Sequence, residues 1–239
     1  MPSTRRPRRH VVAMGGGGFM MEPENPLLDD YVLSLARRSR PKVAFLGTAS
    51  GDVLSVIARF HRAFDGARAD ATHLSLFQRD DRDLARHLLA QDVVYVGGGN
   101  VANMMAIWRL HGVDRILRSA WTRGTVMAGV SAGALCWFEG GTTDSFGPAL
   151  APFRDGLGWL SGTVSPHYDG EARRRPVYHA LVRKGLPAGI GLDDGAAAHY
   201  VGTRRVEIVT SRPCARAYDV RRVGRRVVET PLDVRYLGA

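Results

Sequence analysis

The chain has 239 residues, 45% of them hydrophobic and 23% charged, enough to build one large soluble domain with its own core. No apolar run reaches the roughly 18 residues that span a bilayer, and two cysteines outside any CxxC pair make neither a disulfide framework nor a zinc site. The formal charge of +10 comes mostly from arginines spread between Arg5 and Arg235, without the interleaved aromatics of a nucleic-acid surface.

In chain order, residues 1–9 are basic and are followed by no long apolar stretch. They read as a disordered lead rather than a secretory signal. His10–Met14 is the first expected strand, followed by the glycine run Gly15–Gly18. Pro26–Ala36 carries apolar residues at helical spacing. Lys42–Leu46 reads as a strand, and Asp52 as the N-cap of a helix through Ile57 and Phe60. Thr72–Leu76 is expected as a strand and Asp81–Leu89 as a helix. Asp92–Val96 is a strand that ends in Gly97-Gly98-Gly99-Asn100, and the helix Val101–Leu110 follows it. Thr125–Gly129 leads into Ser131, with a helix expected over Ala132–Phe138. Ala188–Leu192 is a later strand. Segments 205–210, 215–220 and 225–230 read as antiparallel strands.

Alternating strands and helices predict a doubly wound, mostly parallel α/β sheet with helices on both faces and a C-terminal β extension, all within one domain over residues 10–239.

The sharpest motif is Gly129-Val130-Ser131-Ala132-Gly133, which fits G-x-S-x-G. It places a serine on a tight strand-to-helix turn, where small neighbours let strand and helix approach. The following helix is expected to aim its N-terminal amides at a developing oxyanion. The competing reading is a helix-capping serine. Gly97–Asn100 stands at a neighbouring strand end, so its open amides offer a second oxyanion donor. Gly98 and Asn100 become candidate substrate contacts. The run lacks the Gly-Lys-Ser/Thr ending of a phosphate loop, and Gly15–Gly18 does not open a helix in dinucleotide register.

A serine hydroxyl needs a base, and an imidazole base needs an orienting acid. Among eight histidines, His167 in Ser165-Pro166-His167-Tyr168-Asp169-Gly170 has the loop setting that suits the role. For the acid, Asp194 in Gly191-Leu192-Asp193-Asp194-Gly195 competes with Asp144 and Asp169.

Taken together, Gly97–Asn100, the Ser131 turn and Pro166-His167-Tyr168-Asp169 resemble the peptidase E family of serine peptidases, which includes aspartyl dipeptidase and, more distantly, cyanophycinase. The resemblance covers about residues 10–200. It implies a class I glutamine amidotransferase-like fold and the chain order nucleophile, histidine, acid. Carried onto this sequence, Ser131 is the nucleophile, His167 the base, and Asp194 the acid, with Asp144 as the alternative. Gly99 and Ala132 supply the oxyanion amides. The implied reaction is hydrolysis of short peptides through an acyl-enzyme, with no metal or cofactor. An N-terminal Asp in the substrate would call for cations, for which Arg173 and Arg174, with Arg175, are the candidates; a solvated helix start is the alternative for these. The expected partner is a small peptide, with no nucleic acid and no membrane, in a cytoplasmic setting; a homodimer is left open. An esterase or amidase with the same triad, and a non-catalytic ligand-binding module, are the rival readings.

Overall fold

The computed structural model describes residues 7–64 and 66–239; the first six residues of the expected lead lie outside them. Residues 7–9 of that lead are packed against the fold rather than disordered. The Arg9 carbonyl accepts the Gly202 amide at 2.8 Å, and its guanidinium lies 4.8 Å from the Trp121 ring centroid.

The first part of the chain runs β1 (His10–Met14), α1 (Gly18–Met21), α2 (Leu27–Ser34), β2 (Lys42–Leu46), α3 (Leu54–Ala63), β3 (Asp70–Leu74), α4 (Leu84–Leu89), β4 (Val93–Val96), α5 (Val101–His111), α6 (Val113–Thr122), β5 (Val126–Val130) and α7 (Ala132–Leu135). The rest runs β6 (Phe138–Thr143), β7 (Ala151–Phe153), β8 (Leu160–Ser165), α8 (Arg174–Arg183), β9 (Gly189–Leu192), β10 (Ala196–Val201), β11 (Arg204–Thr210), β12 (Ala217–Val223), β13 (Arg226–Pro231) and β14 (Arg235–Tyr236).

Two sheets result. The larger has the order β14-β11-β10-β1-β5-β4-β2-β3, and the smaller β13-β12-β9-β8-β6-β7. Strands β1, β5, β4, β2 and β3 run parallel to one another, and β10 pairs antiparallel with the outer side of β1. The inner strands β1, β5 and β4, and β2 from Val43 onward, are buried and almost wholly apolar because both of their faces are covered, whereas the edge strand β3 is buried only at Leu74. Alternation along β1 divides them: Val12 and Met14 face Phe19, Phe45, Phe60 and Tyr95, whereas Val11 and Ala13 face the side of Trp108, Trp121 and Trp137. The expected C-terminal β extension is shared out, with β10, β11 and β14 on the larger sheet and β12 and β13 on the smaller.

Three local expectations are corrected. Asp52 does not cap α3. It sits at φ 55°, its carboxylate accepts the Leu76 and Phe77 amides, and Val53 occupies the cap position. The third strand lies two residues earlier than expected. The helix after Ser131 is a single turn, because Phe138–Thr143 pairs as β6; a Cβ on Gly140 or Gly141 would come within 2.0 Å of a facing strand's carbonyl oxygen. Short strands of this glycine-rich kind carry no apolar alternation to read.

Candidate active site

The carboxyl ends of β1, β5 and β4 form one crevice, as expected of an open α/β sheet. Ser131 follows β5 directly and precedes α7, with φ 57° and ψ −112°. An L-residue holds that conformation only under constraint. Its amide donates to the Met14 carbonyl at 3.0 Å, and its carbonyl accepts the Ala134 and Leu135 amides. The flanking glycines are steric necessities. A Cβ on Gly129 would lie 2.2 Å from the Gly133 oxygen, and one on Gly133 would lie 2.3 Å from the Val96 oxygen. Because α7 is one turn long, its dipole is small, and the individual amides matter more than the helix.

His167 begins the turn after β8 at φ 53°, with its amide donating to the Gly15 carbonyl at 3.2 Å. Its Nε2 lies 2.9 Å from Ser131 Oγ, and its Nδ1 lies 2.6 Å from Asp194 Oδ1. An ionised carboxylate only accepts, so Nδ1 carries the proton and Nε2 is free to accept the serine hydroxyl. The His167 and Asp194 side chains are 15% and 12% exposed, so solvent screens this pair weakly.

Asp194 follows β9 and is boxed in. Its amide donates to Asp169 Oδ1 at 2.8 Å. A Cβ on Gly16 would lie 2.0 Å from its Oδ1, and one on Gly170 would lie 2.4 Å from its Oδ2. Asp169 thus holds the backbone of Asp194, not the His167 imidazole. Asp144 is exposed in the loop after β6, with its carbonyl accepting the Gly147 amide. The carboxylate bonded to His167 is Asp194. The neighbouring Asp193 faces away, accepting the Arg216 amide, and burial pushes its carboxyl up to about 6.

Gly98 lies against the serine, where its Cβ would be 3.2 Å from Ser131 Cβ. Gly99 has φ 135°, and a Cβ there would strike the Ala49 oxygen at 2.2 Å. Among the described residues, neither the Gly99 nor the Ala132 amide has an acceptor within the protein. Asn100 is not free for a ligand: its Oδ1 caps α5 through the Asn103 amide, and its Nδ2 donates to the Ser145 carbonyl.

The arginines divide. Arg173 is exposed just before α8. Arg174 is buried, with its guanidinium on Glu171 and on the Thr142 carbonyl. Arg175 pairs with Glu229 and lies over Tyr218. Glu229 also accepts the Tyr168 hydroxyl at 2.6 Å and contacts His179 Nε2 at 2.8 Å. Sequence reasoning missed this support and the buried Asp29 beneath Gly18. Asp29 accepts the Tyr95 hydroxyl, and burial pushes its carboxyl up to about 7. Only long-range pairing reveals either group.

No helix among the described residues is long and apolar enough to cross a membrane. Residues 11–208 match the profile of Peptidase family S51. A curated relative, the uncharacterized peptidase YgaJ of Bacillus subtilis strain 168, is 48% identical over 231 residues, covering 96% of this chain and all of the relative. Two solved structures share the fold. A peptidase from an acI-B1 actinobacterium superposes with TM-score 0.72 at 16% identity, over 96% of each chain. A putative peptidase E protein from Listeria monocytogenes EGD-e gives TM-score 0.58 at 14% identity, over 95% of this chain and all of the other. With the profile spanning most of the chain and a full-length relative at nearly half identity, the protein belongs to peptidase family S51, the peptidase E family of serine peptidases.

Proposed function

We propose that this peptidase hydrolyses short peptides through an acyl-enzyme on Ser131. The observation that carries the reading is the continuous hydrogen-bonded path from Ser131 Oγ through the His167 ring to Asp194, 2.9 Å and 2.6 Å long. Nε2 accepts the hydroxyl proton as Oγ attacks the peptide carbonyl carbon. Asp194 keeps the imidazole in the accepting tautomer and stabilises the imidazolium that forms. The carbonyl oxygen becomes an oxyanion held by the Gly99 and Ala132 amides, which have no acceptor among the described residues. The imidazolium then protonates the leaving amine as the C–N bond breaks, leaving an ester on Ser131. Water, deprotonated by Nε2, cleaves that ester and returns the proton to Oγ. Serine, imidazole, carboxylate, two amides and water complete this chemistry.

Dipeptides with an N-terminal Asp would need a free cation in the cleft. With Arg174 and Arg175 engaged by carboxylates, Arg173 is the candidate left. We place the enzyme in a cytoplasm, in keeping with the unpaired Cys136 and Cys214.

The test is Ser131→Ala assayed on a dipeptide panel. Turnover should fall by about 10⁴-fold or more while the thermal transition is kept. Unchanged turnover would remove Ser131 from the reaction, and a wild type inert to peptides but active on esters would favour the esterase reading.

A further inference from the structure

The strand order places β5 between β1 and β4, so Ser131 lies between the glycine loop after β1 and the one after β4. One element reaches both loops. Helix α1 is anchored by Phe19, whose ring meets those of Phe45, Phe60, Phe64 and Tyr95 within 5.8 Å. Beyond that anchor the helix sends two thioethers to the two sides. Met20 Sδ accepts the Gly98 amide at 3.2 Å, and Met21 Sδ accepts the Gly17 amide at 3.3 Å.

The glycines they contact adjoin the reacting groups. A Cβ on Gly98 would sit 3.2 Å from Ser131 Cβ, and one on Gly16 would sit 2.0 Å from Asp194 Oδ1 and 3.0 Å from Met21 Sδ. Met21 is 44% exposed and Met20 half-buried, so this wall is open to a ligand. A thioether is a weak acceptor, and a peptide carbonyl is a far better one. Met is also unbranched and soft, and it moulds itself to apolar groups. Of the cations flanking α1, Arg59 is held by the Met20 carbonyl and Arg212 is neutralised by Glu22 at the end of the helix.

We propose that Met20 and Met21 form the specificity wall of the cleft. Their sulfurs hold the Gly98 and Gly17 amides until substrate carbonyls replace them, and their chains select an apolar first residue, such as Leu, Met or Phe, over Asp. This inference rests on the serine-peptidase reading above and names its substrate class.

The dipeptides Leu-Ala, Met-Ala, Phe-Ala, Asp-Ala and Lys-Ala test it with the wild type, Met21→Lys and Met21→Leu. The wild-type kcat/KM for the apolar members should exceed that for Asp-Ala at least about tenfold. Met21→Lys should move the Asp-to-Leu ratio toward Asp by a similar factor, and Met21→Leu should keep the wild-type order. Because the ratio is taken within each variant, partial loss of folded enzyme cancels. A wild-type preference for Asp-Ala, an unmoved ratio in Met21→Lys, or cleavage of none of the five overturns the inference. Fluorophosphonate labelling of the same preparations reads the chemistry separately. Labelled enzyme with the wrong selectivity breaks this inference alone, whereas folded enzyme that fails to label breaks the reading beneath it.

Discussion

Two turns meet in the crevice, and they are held in opposite ways. Both place a non-glycine residue at positive φ, Ser131 at 57° and His167 at 53°. The Ser131 turn is fixed mainly by its own two glycines: Gly129 lets β5 touch α7, and Gly133 lets α7 touch the end of β4, where no side chain would fit. The His167 turn is fixed from a distance. Its amide reaches Gly15 of the β1 loop, Asp169 ties it to the Asp194 backbone, and the Tyr168 hydroxyl reaches Glu229 on β13. A locally determined turn leaves its signature in five consecutive residues. One determined by tertiary contacts scatters its causes over more than two hundred.

The largest expected effect that tests this contrast is on the acid. Asp194→Asn removes the acceptor that fixes the His167 tautomer, and kcat should fall about 10⁴-fold with folding intact. Asp144→Asn, changed in an exposed loop, should stay within about threefold of wild type. The reverse ranking, read from steady-state kinetics, would break the account of the His167 side.

Gly133→Ala probes the other turn. Its Cβ would sit 2.3 Å from the Val96 oxygen, so the turn must open. A loss of about 3 kcal/mol or more in unfolding free energy is expected, measured by urea titration. A cost under about 1 kcal/mol would mean that the serine turn is not sterically locked.

Tyr168→Phe is the mildest change. It deletes one buried hydroxyl that donates to Glu229 and should cost about 1 kcal/mol of stability. If the distant network positions His167, kcat should also drop several-fold while KM holds. An unchanged kcat would make Tyr168 a structural residue only.

The same contrast explains what the sequence made legible. The parallel strands were readable because burial on both faces leaves continuous apolar runs such as Val93–Val96. Ser131, His167 and Asp194 could be singled out because each stands at a strand end beside glycine or proline punctuation, and the fold brings the three side chains into hydrogen-bond contact. The strands β6 to β8 were missed because Gly140 and Gly141 give them close backbone contacts instead of a hydrophobic pattern. Asn100 and Arg174 were read as ligand contacts because sequence gives residue type but not partner. Folding uses Asn100 to cap α5 and Arg174 to join Glu171 to the Thr142 carbonyl. The glycines packed against the Asp194 carboxylate, Gly16 and Gly170, come from two loops that meet only in the folded chain.

The most direct test of the central claim is mass mapping of the wild-type protein after reaction with a fluorophosphonate. The account predicts one adduct, on the peptide that carries Ser131, lost when His167 is replaced by Ala. An adduct on another serine, or none on folded protein, would contradict it.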